Sequence, residues 1–480
     1  RTRHGVFTYY LIEGLNGAAA DAAGRITTKS LHSYLKPRVQ DEARLLNRDF
    51  LLLWQGQLVS LLGSQAFTLA VLYYAAESTG SATLLGTLWG GSRRPGLLLT
   101  PLGGAVADRR SRRALLVACD LLSAGSSFLL AGVFTLAGSG NPLLAAALCA
   151  AAVLDEVVLA FLVPALSAAL PDVVPRERLA AANSLFQGAA QASSVGGKAA
   201  AGALYVWLGP PALFLLDGLT FLYAAGSEAL VRLPAPAPRP AGEPKRARAL
   251  VRDLGDALGF VRCRQGLLPL LVSIGVAEAL TTPVFVLLPF YVRHALGHGA
   301  DWYGFVSAAF GAGSVAGLAA AGVRMGRAVR PASAGLGIAG LSLVGLATVR
   351  APWAALLLLA TAGAGLSLAN VAFQSFFQGA APTPVRGRVM ALMQTVGTGA
   401  GILGAWSGGI AGDLAGKDVS LIYGFCGSAL ALLGLGLGVR RLAGADRRSS
   451  GGDAEDVLHL PEQIFGTEGL LDEARGTHPE

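Results

Sequence analysis

Apolar residues in this chain gather into long runs separated by short polar breaks, and run length is the first constraint on the fold. A helix of about 20 apolar residues spans the hydrocarbon core of a bilayer. Twelve runs of that order follow one another, at roughly 49–76, 81–107, 113–137, 143–168, 179–204, 209–232, 266–292, 302–323, 332–349, 352–376, 388–412 and 419–439. The pattern predicts an all-α membrane protein with twelve transmembrane helices. Residues 1–46 lie ahead of the runs and are not membrane-like, and 443–480 follow them as a polar tail, in which Leu458 to Leu471 reads as a weak helix.

Charge is spread unevenly over the breaks. Between the second and third runs, Gly103 to Arg113 reads G-G-A-V-A-D-R-R-S-R-R, setting Arg109, Arg110, Arg112 and Arg113 against Asp108. Further even-to-odd breaks carry Arg176 and Arg178, then Arg324, Arg327 and Arg330, then Arg386 and Arg388, whereas the others offer little beyond Arg293, Arg350 and Lys417. Short loops rich in Lys and Arg stay in the cytoplasm. Both termini are therefore expected inside, with the chain multi-pass in a bacterial cytoplasmic (inner) membrane.

The longest break, 233–265, opens with the Pro-rich stretch P-A-P-A-P-R-P-A-G-E-P, which favours an extended chain. From Arg246 to Val261, Leu250, Val251, Leu254, Leu258 and Val261 recur at helical spacing, with Arg248, Arg252, Asp253 and Asp256 on the other side. An amphipathic helix on the cytoplasmic membrane surface is expected there. This linker divides six runs in 47–232 from six in 266–442. The two halves also echo one another: Pro175-Arg176-Glu177-Arg178-Leu179-Ala180 opens the fifth run and Val385-Arg386-Gly387-Arg388-Val389-Met390 the eleventh, with the Arg-x-Arg pairs offset by 210 residues. Two pseudo-symmetric six-helix bundles follow.

Composition excludes other classes. With 480 residues, 53% hydrophobic and 14% charged, the chain is too apolar for a soluble globule of this size. Its net charge of +8 sits in the loops beside the runs, so it reports topology rather than nucleic acid. Cys119, Cys149, Cys263 and Cys426 are isolated, leaving no disulfide framework or zinc spacing. There is no G-x-x-x-x-G-K-[ST] loop for ATP. No enzyme activity, cofactor or metal is expected, and no signal peptide, since no apolar core of suitable length follows the basic start.

The pattern Gly104-x-x-x-Asp108-Arg109-x-x-Arg112-Arg113 resembles the loop between helices 2 and 3 of the major facilitator superfamily, with Ser111 where that family usually has glycine. The resemblance implies a conformational latch, in which the acid pairs with the arginines and caps the N-terminus of helix 11. Asn47-Arg48-Asp49-Phe50-Leu51-Leu52-Leu53-Trp54-x-Gly56-Gln57, Pro164 to Asn183 and Val385 to Val389 look like the branch that holds enterobactin exporters and macrolide efflux permeases. This likeness runs from Asn47 to about Leu442. A separate stretch, His4 to Leu15 with Ala20-Asp21, Thr28 to Leu31 and Tyr34, resembles the C-terminal end of bacterial caspase-like peptidase domains. It is non-catalytic here: no cysteine precedes Cys119, so a Cys-His dyad cannot be built. Asp21 to Ser30 also lacks the acids of a calcium loop.

Polar residues at membrane depth are costly and are functional candidates by default. Gln57, Ser60, Ser64 and Thr68 share one face of the first run, Gln187, Gln191, Ser194 and Lys198 one face of the fifth, and Asn370, Gln374 and Gln378 one face of the tenth, beside Phe373 and Phe377. Three aligned stripes predict a water-filled substrate cavity between the halves; the alternative is interhelical hydrogen bonding. Arg93 and Arg94 in the second run and Asp155 and Glu156 in the fourth lie at equal depth, which allows an ion pair with one member of each couple facing across and the other facing cavity or protein. Glu278 in the seventh run is a second proton-site candidate, while Asp120 and Asp217 read as packing polar groups. Lys198 either attracts an anionic cargo or satisfies an acid, or it snorkels outward. Relative to drug antiporters of the superfamily, the fourth run lacks a basic residue and Gly197-Lys198 replaces a Gly-Pro element.

The expected protein is a secondary active transporter, a monomer in the lipid bilayer that couples protons to efflux of a small amphipathic molecule of drug, macrolide or siderophore type by alternating access, with no nucleic-acid partner. The alternatives are an importer or facilitator of a polar metabolite and, from another class, a non-transporting membrane anchor fused to a caspase-like or signalling module.

Overall fold

The computed structural model describes Asn47 to Ser449, except for 92, 138–140, 176–177, 234–246, 265, 325–329 and 417, and a few positions ahead of Asn47. Apart from those few positions, the stretch 1–46, for which a caspase-like resemblance is expected, lies outside the described residues, as do the Pro-rich part of the linker and the tail beyond Ser449. Among the described residues there is no strand. The helices are α1 Arg48–Thr79, α2 Ala82–Gly86, α3 Arg93–Arg109, α4 Arg112–Ala137, α5 Pro142–Val173, α6 Leu179–Ala192, α7 Lys198–Leu208, α8 Pro210–Ala229, α9 Ala247–Cys263, α10 Leu267–Val286, α11 Leu288–Phe290, α12 Ala300–Arg324, α13 Arg330–Thr348, α14 Pro352–Ala380, α15 Thr383–Leu414 and α16 Val419–Ser449.

Nine of these are long and apolar enough to cross a membrane unbroken. Two other crossings are broken by a π-helical turn, Thr87–Gly91 between α2 and α3 and Ser193–Gly197 between α6 and α7. The remaining run is α8, which is long enough but carries Asp217 and Glu228 among its buried residues. Helix α9 follows in the linker, between α8 and α10.

Local chemistry explains most boundaries. Asn47 caps α1 by accepting from the Phe50 N–H at 2.7 Å, and its amide donates to the Val173 carbonyl at 2.5 Å, tying the start of α1 to the end of α5. Gly80 ends α1 at φ 60°, and Ser81 caps α2. Asn141 with Pro142 starts α5, and Pro210 occupies the first turn of α8.

Helices α1, α3, α4, α5 and α8 pack into one bundle and α10, α12, α13, α14, α15 and α16 into another. Outside the packed interfaces, Leu136 is 90% and Trp207 80% exposed, and Leu341, Trp353, Leu414, Leu421 and Phe425 are similarly bare. Large apolar side chains facing outward all round, with tryptophans near helix ends, fit a lipid-facing belt. The linker helix α9 packs on α15: Ala257 and Val261 are buried, and Asp256 pairs with Arg388 at 3.4 Å. Its apolar side is thus covered at least in part by protein.

The two bundles meet through α2 and its π turn against α15, and through α7 against α12. Both contacts are built on glycine. A Cβ on Gly86 would lie 2.4 Å from the Ala405 carbonyl oxygen, and one on Gly202 would lie 2.6 Å from that of Ala300, so only glycine admits this backbone approach. Both contacts sit at one end of the molecule, here called the Asp413 end. The opposite end, which holds the α3–α4 turn, is the Arg112 end.

Candidate functional site: a chamber between two bundles

The stripes of polar residues converge on a set of adjoining cavities. The first, of about 560 Å³, lies within the N-terminal bundle and is lined by Gln57, Ser60, Ser64, Gln65, Trp89, Asp155, Glu156 and Gln187 among others. A larger one of about 1090 Å³ lies between the bundles and takes in Gln187, Gln191, Glu278, Ser314, Asn370 and Gln374. Gln187 belongs to both. Glu278 and Asn370 also line a side cavity of about 210 Å³ with Gln394 and Thr398. Lys198 lines a constriction of about 50 Å³ with Gln65, Thr68, Tyr303 and Ser307, toward the Asp413 end. Gln187, Gln191, Asn370 and Gln374, on the Arg112-end parts of α6 and α14, are exposed. The chamber therefore opens toward the Arg112 end.

Individual residues differ in how they serve it. Ser64 donates to the Ser60 carbonyl, and Gln374 donates to Asn370 Oδ1 at 2.7 Å, so these two amides form one pre-oriented unit. Gln57 spans two environments, lining the first cavity while donating to Glu228 Oε1 at 2.8 Å in the core. Gln378, one turn beyond Gln374, is exposed and is not part of the lining of these four cavities. Where a Gly-Pro element was absent from the sequence, a π turn ends at Gly197 and a Cβ there would crowd Gln65, so α1 passes close by.

Asp155 and Glu156 both line the first cavity, although adjacent helical positions point about 100° apart. The cavity wraps far enough round α5 to reach both. Helices α3 and α5 touch at this level: a Cβ on Gly96 would lie 3.1 Å from Glu156 Oε2. The backbone thus brings Arg93 and Arg94 beside the two acids; their side chains lie outside the described residues. Asp217 is buried and accepts from Ser127 at 2.6 Å, a packing role.

At the Arg112 end, the side chains of Asp108 and Arg109 also lie outside the described residues. Arg112 forms an ion pair with Asp172 at the end of α5, within its own bundle, and Arg113 is exposed. Of the paired glycines at this end, Gly103 is the one in close approach, since a Cβ there would collide with the Ala160 carbonyl, whereas Gly104 faces open space. At the other end, Asp413 of α15 accepts from Ser81 Oγ (3.2 Å), Ala82 N (2.8 Å) and Thr83 N (2.9 Å) at the start of α2. Nearby, Tyr205 donates to Glu77 at 3.0 Å and Tyr73 stacks on Tyr303 of the other bundle. Asp172, Asp413 and Glu228 escaped sequence reasoning. Each stands near the end of an apolar run, where an acid reads as a boundary.

Comparisons agree with this architecture. The Major Facilitator Superfamily model matches residues 53–405. Macrolide efflux protein A of Streptococcus pyogenes is 27% identical over 241 residues, a match that spans 50% of this chain and 58% of that protein's length. In fold, the chain resembles a mutant form of the nucleoside transporter NupG (TM-score 0.66, 12% identity, 82% of this chain and 100% of that one). It also resembles a bacterial homologue of the iron transporter ferroportin in an inward-facing state (TM-score 0.63, 17% identity, 82% and 99%). With the family model covering most of the membrane region, and with long apolar helices packed in two bundles around a chamber, this chain belongs to the major facilitator superfamily.

Proposed function

We propose that the protein is a proton-coupled exporter of a small amphipathic molecule, of drug, macrolide or siderophore type, working by alternating access. The observation that carries this reading is the chamber. Its walls are mostly apolar, with amides on three sides and the carboxyls of Asp155, Glu156 and Glu278 at its edge. Such a lining fits a molecule with a large apolar body and a few polar or cationic groups. The partial similarity to a macrolide efflux protein supports the direction of flux.

The arginine-rich breaks support placing the Arg112 end and both termini in the cytoplasm of a bacterial cell, in the cytoplasmic membrane. In that orientation the chamber opens inward, and the bundles grip each other outside. Gly104, Asp108, Arg109, Arg112 and Arg113 then form the cytoplasmic latch; in the inward-open state Arg112 is held by Asp172, and Gly104 keeps a bare face for α15 to approach when that end closes. One chain supplies every wall, so a monomer suffices.

Drug accumulation in an efflux-deficient host, with and without an uncoupler, tests the reading. Wild-type protein should lower accumulation, the uncoupler should restore it, and Asp155→Asn, Glu156→Gln and Glu278→Gln together should abolish the uncoupler-sensitive part. Unchanged export in the triple variant sinks the assignment of the carboxyls.

A further inference from the structure

From the contacts buried between α4, α8 and α1 we infer a proton-binding site, the carboxyl pair Asp120–Glu228, which lies behind the chamber wall formed by Gln57 and Ser123. The pair is separate from Asp155, Glu156 and Glu278, and its use in transport rests on the proton-coupled reading above.

Asp120 and Glu228 are each 0% exposed, and their carboxyls lie within hydrogen-bonding reach of one another. Both oxygens of Asp120 and Oε2 of Glu228 lack a hydrogen-bond donor among the described residues, while Glu228 Oε1 accepts from Gln57. Two ionised carboxylates cannot stay side by side away from water, because each is desolvated and each repels the other. One proton held between them removes the repulsion and leaves a single buried charge, which is stabilised because the protonated carboxyl donates and the other accepts. The site therefore holds one shared proton in its resting form, with net charge −1. Uptake of a second makes it neutral, and loss of that proton restores the shared form.

Among the described residues, the surroundings leave this as the only local compensation. From α1 the facing group is Gln57; the Cys119 thiol on α4 stands beside them and brings no positive charge. On α8, Asp217 bonds to Ser127, and on α5, Asp155 lies toward Asp217 while Asp172 is engaged by Arg112. Arg112 and Arg113 stand at the start of α4, about 12 Å along the helix from Asp120.

A second feature joins the pair to the chamber. Ser123, one turn from Asp120, is 3% exposed, its hydroxyl has no hydrogen-bond partner among the described residues, and it lines the same cavity as Gln57. A hydroxyl can accept one proton as it gives up another, so Ser123 supplies a relay between cavity and carboxyls, while the Gln57 amide holds Glu228 in place. Because α1, α4 and α8 all belong to the N-terminal bundle, the site moves with it and changes the side it equilibrates with when the chamber does.

Infrared difference spectroscopy of the purified, lipid-reconstituted full chain tests the site. Wild-type protein at neutral pH should show a protonated-carboxyl carbonyl band that shifts in deuterium oxide. Asp120→Asn and Glu228→Gln should each remove it while keeping the protein monodisperse. Should either variant fail to fold, Gln57→Leu retains both carboxyls and should move the band without abolishing it. A band identical in all variants, or no such band in the wild type, overturns the proposal. If the band behaves as expected but an uncoupler leaves export unaffected, the site stands and proton coupling falls. If an uncoupler stops export in a protein with no such band, the site falls and proton coupling stands.

Discussion

Asp413 on α15 accepts the Ala82 N–H at 2.8 Å and the Thr83 N–H at 2.9 Å, so a carboxylate of one bundle caps the first turn of a helix in the other. The first-turn N–H groups of a helix have no partner within it, and its dipole favours an anion there. Closure at this end thus draws on orphan donors that packing between side chains alone leaves unmet. Asp413→Ala should weaken the closed arrangement by about 1 kcal/mol, roughly fivefold in population. Spin-label distances between the ends of α2 and α15 should broaden toward longer values, and an unchanged distribution would show that the cap is incidental.

Arg112 and Asp172 form the corresponding tether at the opposite end, inside one bundle. An ion pair this near the surface is worth about 0.5–1 kcal/mol, and its loss should affect rate more than fold. Arg112→Ala and Asp172→Asn should lower turnover to similar extents, and the double variant should be no worse than either. Additive losses in that cycle would mean that the two residues act separately.

The glycine contacts set a steric test. Replacing Gly86 by Leu drives a side chain into the Ala405 backbone, which cannot yield as a flexible side chain would. The bundles should then fail to meet at the Asp413 end while each stays folded: export should stop, with thermal stability little changed and cysteine probes near Thr83 and Gly409 accessible at all times. Export at wild-type rate with the probes protected contradicts this.

How much of the molecule is legible in its sequence follows from what each feature depends on. Helix number, the 6+6 division and the amphipathic linker helix rest on local hydropathy and loop charge, and those signals are strong. Gln187, Gln191, Asn370 and Gln374 are legible because stripes at helical spacing survive any arrangement of the helices. Gln378 extends its stripe one turn past the chamber, since periodicity fixes a face but not a depth. Glu228, Asp172 and Asp413 depend on which helices become neighbours. The run ends that hold them carry no trace of Gln57, Arg112 or Ala82, some 60 to 330 residues away.

The π turns at Thr87–Gly91 and Ser193–Gly197 mark where each of two crossings passes from the part fastened to the partner bundle, α2 or α7, to the part that packs within its own bundle, α3 or α6. A π turn gives up regular i→i+4 bonding and is easier to bend than the helix on either side. Each such crossing is a forearm with a wrist: the hand keeps its hold while the arm swings. The stroke need not roll two rigid blocks over one another, and removing one residue from either turn, which restores straight helix, should slow turnover while leaving cargo affinity in place.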